Sequence, residues 1–374
     1  MKQTLRTLQI AFTYIGTIVG AGFATGQEIL QFFTQYGRWA VLTIVLSMGF
    51  FIWLGTKMMV LARRIGAESY EDFNRHLFGR NTGSVISLFT MVILIGVNSI
   101  MLAGAGAIFQ EHLGLHYQTG LILTVIGSYL LLKRGISGIL QMNSIVVPLM
   151  LALSLLIIFN TVGHPGAYRF MTMITEQSPV AAWMSPFLYT AFNLGMAQAV
   201  LVPMAHQSDS ERPLIWGGII GGLGIGFMLM AAHYAMSAHM PGILQYEIPM
   251  GSIAFGLGPL VRLIYLLLIF LEIFSTFVAD IYGVTLQLEQ RTRYSMAVIT
   301  PVVMLLCYIF SQFGFSSLLA LFYPLFGALS LVWAVKLILA PSRPPIASDG
   351  PDKAPSSSSV ADTVHDTVPG PARK

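Results

Sequence analysis

The chain reads as a series of long apolar runs separated by short polar breaks. A helix needs about 20 apolar residues to cross the hydrocarbon of a bilayer. Ten segments reach or approach that length: residues 8–35, 39–61, 84–111, 116–132, 139–160, 180–205, 214–238, 260–288, 296–313 and 316–338. We number them spans 1 to 10; span 4 is the shortest. Three connections are long enough to hold structure of their own. Residues 62–83 carry Arg63, Arg64, Glu68, Glu71, Asp72, Arg75 and Arg80 and predict a polar surface helix. Residues 161–179 contain His164-Pro165-Gly166 and Pro179. Residues 239–259, with Pro241-Gly242, Pro249 and Gly256, predict a broken hairpin over the mouth of the bundle. Residues 341–374 hold seven prolines and the run Ser356–Ser359 with almost no large apolar side chains. Such a segment cannot repay its ordering entropy, so a disordered cytoplasmic tail is expected beyond a membrane domain of residues 1–340.

Composition sharpens this pattern. Only 10% of the 374 residues are charged and 55% are hydrophobic, whereas soluble domains carry about 25% charge. With a mean hydropathy of +0.73, the chain is not a cytoplasmic enzyme, a secreted disulfide scaffold or a disordered regulator. Cys307 is the lone cysteine, which excludes an intrachain disulfide and a thiolate metal cluster. His112 and His116 have the i,i+4 spacing of a metal pair, but Gly114 between them marks a helix end, and a wet loop is the reading there. Lys2 and Arg6 before an apolar run mimic a signal peptide, yet the run continues past any cleavage site, so span 1 is read as retained. With ten spans and the N-terminus inside, 17 of the 20 Lys and Arg fall on the inner side, and only Arg38, Arg169 and Arg262 fall outside. By the positive-inside rule both termini are expected to face the cytoplasm.

Two spans carry interruptions. Span 1 contains Gly16, Gly20, Gly22 and Gly26 within eleven residues, each costing a helix about 1 kcal/mol relative to alanine. Span 6 repeats the theme more faintly as Ala191-Phe192-Asn193-Leu194-Gly195-Met196-Ala197. Small residues four apart, such as Gly16/Gly20 and Gly22/Gly26, also suit helix packing. Position favours true breaks: spans 1 and 6 each open a half of five spans, and an odd number inserts the second half upside down, an arrangement found in secondary transporters. A break frees N–H groups for a carboxylate and C=O groups for a cation. Three acids lie at membrane depth, where each is costly: Glu28 towards the outer face of span 1, and Glu272 and Asp280 in span 8. Glu272, Thr276 and Asp280 form a stripe about 12 Å long, bordered by Ser275, that should face the bundle interior.

The stretch Val19-Gly20-Ala21-Gly22-Phe23-Ala24-Thr25-Gly26-Gln27-Glu28 resembles the start of the YkvI-like bacterial membrane proteins, a branch of the LeuT-fold amino acid–polyamine–organocation transporters. The resemblance runs from about Leu8 to Lys336. It implies an all-α polytopic fold with a 5+5 inverted repeat, one repeat over about 8–160 and the other over about 180–338, and discontinuous helices 1 and 6. It also implies a sodium site in which carbonyls of Gly16 and Val19 meet Glu272, Ser275 and Thr276. Glu272 stands where a small residue is usual, and either adds a carboxylate ligand or titrates. That makes Glu272, with Asp280 and Glu28, a candidate for proton coupling. Phe23 stands where an amide ligand of a second sodium site would be expected. The implied substrate contacts are backbone at Ala21 and Gly22, then Phe23, Asn193, Leu194, Gly195 and Met196, with Asn98 from span 3.

The resulting reading is a non-enzymatic, ion-coupled secondary transporter of a small solute, an amino acid or related zwitterion, working by alternating access with Na⁺ or H⁺ as its coupling ion. Its partners are the solute and the lipid bilayer, with no nucleic acid. An intramembrane enzyme would need a nucleophile–base set or a motif such as H-E-x-x-H, and none occurs. A channel would draw its filter from symmetric subunits, which a chain with its own repeat does not require. A LeuT-fold sensor or scaffold without transport stays open at this stage. Deleting residues 343–374 is expected to leave solute flux intact; lost flux at normal membrane levels would show that the tail is needed.

Overall fold

The structure is a computed structural model that describes residues 2–246, 249–256, 258–312 and 329–341. Its described residues form an all-helical membrane bundle. Six helices are long and apolar enough to span a bilayer: Trp39–Ile65 (span 2), Arg80–Gln110 (span 3), Ile136–Val162 (span 5), Pro179–His206 (span 6), Glu211–Ala238 (span 7) and Pro259–Arg291 (span 8). Spans 4, 9 and 10 appear as the shorter apolar helices Tyr117–Leu132, Met296–Ser311 and Leu329–Leu339. The start of the expected span 10, residues 316–328, and the expected tail beyond residue 341 lie outside the described residues. The polar connection forms helix Tyr70–Phe78, started by a capping box in which Ser69 and Asp72 satisfy each other's backbone amides. The connection after span 7 is broken as expected, into Gly242–Gln245 and Pro249–Gly256.

The packing obeys the exchange that a five-plus-five repeat demands. Span 1 packs on span 7 as span 6 packs on span 2, span 3 meets span 4 as span 8 meets span 9, and spans 3 and 8 meet each other. Span 1 is interrupted. Half-helix 1a, Lys2–Ile18, ends where the Gly20 amide turns to Ile18 O at 3.1 Å, away from Gly16, which it would meet in a continuous helix. Gly20 itself is extended. Beyond it the span is divided again, into Ala21–Thr25 and Gln27–Phe32, by Gly26 in the left-handed region at φ +87°. Span 6 corrects the expectation: it runs unbroken from Pro179 to His206. Its single Gly195 lies among good helix formers, and one glycine costs too little to break a packed helix. Asn193 also donates to the Tyr189 carbonyl one turn back (2.9 Å), within the same helix.

A glycine-lined groove on span 7 seats the first two spans. A Cβ on Gly221 would lie 2.6 Å from Tyr14 Cδ1, and one on Gly222 would lie 2.8 Å from the Ile52 backbone nitrogen. Tyr14, fully buried, donates its hydroxyl to Phe51 O at 2.8 Å, at the start of a widened π turn over Phe51–Gly55. An inserted side chain that captures a carbonyl is a common cause of such a turn. Gly222→Val therefore drives a side chain into the span 2 backbone, and is expected to cost about 1–3 kcal/mol. Gly49→Ala, with nothing within 4 Å, should be neutral or stabilising by up to about 1 kcal/mol. Thermal denaturation of both variants in detergent compares them directly.

Candidate functional site

The break in span 1 opens onto a small cavity of about 40 Å³ between spans 1, 3, 6 and 8. Span 1 contributes Thr17, Ile18, Gly20 and Glu28; span 3 contributes Val97, Ile100 and Met101; span 6 contributes Phe192, Asn193 and Met196; span 8 contributes Thr276. At this volume it holds a water or two and no larger molecule. The approach is closest at Gly20, where a Cβ would sit 3.7 Å from Thr276 Oγ1 and 3.9 Å from Met101 Cε.

Glu28 is the surprise of this site. Residue order placed it in the second half of span 1; beyond the left-handed turn at Gly26, its carboxylate lies against Gly22 on the cavity wall. Span 8 holds the outer part of the break in place, since Tyr265 donates to Ala24 O at 2.7 Å. Tyr265, Glu272 and Thr276 are seven and four residues apart and so share one helix face. With Tyr265 at Ala24 and Thr276 at Gly20, Glu272 stands at the intervening level. It is 0% exposed, and neither carboxylate oxygen has a hydrogen-bond partner. Thr276 Oγ1, on a residue 3% exposed, is likewise unpartnered.

The other expected residues distribute unevenly. Asn193 and Met196 line the cavity, while Leu194 is buried in the core behind them. Gly195 faces Ser330, with a would-be Cβ 3.3 Å from its Oγ, in a smaller cavity towards span 10. Phe23 lines an outer apolar cavity with Met150, Met228 and Tyr265. Asn98 does not line the central cavity: Val97, Ile100 and Met101 do, and Asn98 lies about 100° around the helix from Val97. It is nevertheless fully buried with both amide atoms unpartnered. Gly16 packs against Asn143 of span 5, and Ser275 donates to the Glu272 carbonyl at 3.1 Å. Asp280 is buried two turns from Glu272, within electrostatic range of Tyr70. Thr17, Val97, Ile100, Met101 and Phe192 also line the cavity and were missed, since an ordinary side chain inside an apolar run carries no sequence signal that it faces a cavity. Among the described residues no group of three or more His, Cys, Asp or Glu could hold a metal ion.

A second polar cluster lies at the end of the bundle that carries most of the Lys and Arg. Glu71 of helix Tyr70–Phe78 accepts from Arg75 (2.6 Å), Arg291 (2.5 Å) and Gln287 (3.2 Å). Arg291 also donates to Ser84 O at 2.9 Å, and Trp333 Nε1 to Asn74 Oδ1 at 2.9 Å. Helix Tyr70–Phe78 is thereby tied to spans 3, 8 and 10. Burial alone would raise the Glu71 carboxyl, but hydrogen bonds from Arg291 and Gln287 and the charges of Arg291 and Arg75 outweigh it and hold the group below its ordinary value.

The broken first span, the central cavity between spans 1, 3, 6 and 8, and the repeat symmetry define a LeuT-fold membrane protein. Solved structures agree: MhsT in complex with L-phenylalanine aligns with a TM-score of 0.64 at 17% identity, covering 89% of this chain and 94% of that one. A Na⁺-coupled sialic acid symporter aligns at 0.64 and 14% identity, covering 88% of this chain and 76% of that one. Mhp1, a nucleobase-cation-symport-1 family transporter, aligns at 0.63 and 14% identity, covering 88% and 77%. At such identities the likeness shows the fold alone. No protein-family profile matches the chain. The chain belongs to the family of YkvI, an uncharacterized membrane protein of Bacillus subtilis (strain 168), to which it is 38% identical over 346 residues, 90% of this chain and 96% of that protein. YyaD of the same organism is 27% identical over 87% of this chain and 94% of its own length.

The Glu71 cluster gives a pH prediction. A carboxyl held below its ordinary value of 4.5 contributes stability that is full above that value and is lost as pH falls through the folded value. Arg291→Ala, which removes one partner of that buried carboxylate, is expected to cost about 1–3 kcal/mol at neutral pH. It should also flatten the loss of thermal stability between pH 5 and pH 3, measured on protein in detergent.

Proposed function

We propose that the protein is an ion-coupled secondary transporter of a small solute, an amino acid or related zwitterion, in a bacterial inner membrane with both termini in the cytoplasm. The observation that carries the reading is the juxtaposition at the break: an extended Gly20 beside Thr276, a small cavity, and one turn away the buried carboxylate of Glu272, without a hydrogen-bond partner among the described residues. Ionisable groups at bilayer depth are expensive and persist where they act on ions or solutes. In this reading Glu272 and Thr276 hold the coupling ion, Na⁺ or H⁺, against carbonyls freed between Gly16 and Val19. The solute occupies an enlarged form of the central cavity against Ala21, Gly22, Asn193 and Met196. In this reading the transporter works by alternating access. The cavity is smaller than any amino acid, so loading requires spans 1 and 6 to move against spans 3 and 8, and the solute favours the state that closes around it. Proteins of similar fold include a Na⁺-coupled symporter and a manganese transporter of Eremococcus coleocola, which supports ion-coupled transport over a sensor or scaffold role.

Two measurements test this. A thermal-shift panel of amino acids, amines and nucleobases, run in sodium and in potassium, should give stabilisation by mass action for a true solute. In proteoliposomes, Glu272→Gln should remove gradient-driven accumulation, a loss of about 5–150-fold for a typical coupling free energy. Accumulation equal to that of the wild type would remove Glu272 from the mechanism, and absence of any solute flux would favour the sensor or scaffold.

A further inference from the structure

We infer that the groove between spans 2 and 7, at the end of the bundle that carries most of the Lys and Arg, binds one anionic phospholipid, with its phosphate at Lys57 and an acyl chain along the apolar remainder of the groove. The inference does not depend on what the protein transports. The groove has a volume of about 340 Å³, against about 40 Å³ for the central cavity. Its lining divides by chemistry: Ile52, Trp53, Val60 and Ile219 supply apolar surface, and Lys57 and Arg64 are its charged residues.

Three observations converge on an anionic occupant. First, Lys57 and Arg64 are seven residues apart, so they lie on one face of span 2, about 10 Å apart along its axis. Trp53, one turn before Lys57 on that face, is 49% exposed. Trp, then Lys, then Arg down the outside of a span follows the passage from acyl chains to headgroups. Second, the net charge of the groove belongs to Lys57. Arg64 donates through Nε and Nη2 to the two carboxylate oxygens of Glu211 at 2.7 and 2.8 Å, and that pairing cancels its charge. Lys57 has no carboxylate partner among the described residues, and its hydrogen bond goes to a neutral acceptor, Ile338 O, at 2.9 Å. An ammonium has three donors, so two remain for a phosphate. Third, Ile338 lies in the last turn of helix Leu329–Leu339. The contact therefore puts the ammonium where span 10 ends, at the level of the headgroups. Basic pockets between spans at that depth take up anionic headgroups. A larger groove between spans 4 and 9, about 470 Å³, gives the contrast: no charged residue lines it among the described residues, so it does not select by headgroup.

The test uses the full chain in detergent, stripped of lipid and titrated with dioleoylphosphatidylglycerol, dioleoylphosphatidylcholine or inorganic phosphate, with bound lipid counted by native mass spectrometry. One phosphatidylglycerol per chain is expected to bind about fivefold or more tighter than phosphatidylcholine, the factor that one basic residue supplies at a membrane surface. Lys57→Gln, which keeps a donor for Ile338 O, should erase that preference, and Lys57→Arg should keep it. Arg134→Gln, which removes an exposed cation between spans 4 and 5, should leave it unchanged. Phosphatidylglycerol brominated on its acyl chains locates the lipid. It should quench tryptophan fluorescence more than brominated phosphatidylcholine does, and Trp53→Phe should abolish that difference. This quenching decides the question if the Lys57 variants do not fold. The inference is overturned if the two lipids bind equally, if Lys57→Gln leaves the affinity for phosphatidylglycerol within a factor of two, or if Arg134→Gln lowers it as much. It is also overturned if inorganic phosphate displaces the lipid, which would assign the groove to a free anion, or if the extra quenching survives in Trp53→Phe.

Discussion

Inside a bilayer the backbone has no water to turn to, and every N–H and C=O must find its partner within the protein. The interruption after Ile18 suspends that rule at one place, and much of the bundle is arranged to hold it there. Gly20 gives up the helical conformation, and Gly26 turns the chain a second time. Tyr265 takes up a carbonyl of the displaced segment, Ser185 donates to Phe32 O, and Gln27 reaches Tyr246 O at 3.1 Å. Span 7 supplies the seat on which half-helix 1a rests, and its glycines let span 1 and span 2 approach to backbone distance. A backbone break of this kind survives only where surrounding contacts over-determine it.

The distribution of charge follows from the same lack of water. Buried acids are of two kinds in this protein. Glu71 is answered by two arginines and a glutamine and ties a surface helix to spans 3 and 8. Breaking such a cluster strands a buried charge, which makes it a fastening between elements more than a source of net stability. Glu272 is answered by nothing on its own helix face, and it sits beside the break. The contrast is between a satisfied carboxylate in the Glu71 cluster and one beside the break that has no hydrogen-bond partner among the described residues.

Much of the fold was legible in residue order. Spans 1 to 9, the capped helix at 70–78, the broken connection after span 7 and the interruption near Val19 appear among the described residues as the sequence predicts. Each depends on local pattern: hydrophobic run length, a Ser–Asp cap, and glycine density. The candidate site was legible where it depended on spacing along a helix, as for Glu272 and Thr276. Asn98 was misplaced because polarity in an apolar run says that a side chain must face protein, not which protein surface it faces. Span 6 stayed helical for the complementary reason: Asn193 and Gly195 look like a break in isolation, but a packed helix absorbs the cost of one glycine.

Residue order by itself determined that this is a polytopic helical membrane protein, where most of its apolar helices lie and where the first one yields, because the bilayer converts hydrophobic length directly into structure. Only the tertiary structure decided which polar groups share a cavity. Glu28 shows why: residue order gave its place along span 1, and only the folded chain, with its left-handed residue at Gly26, shows its carboxylate against Gly22. Side-chain direction after a break is set by the dihedral angles of the break and by the neighbours that hold them, and neither is written in the spacing of residues.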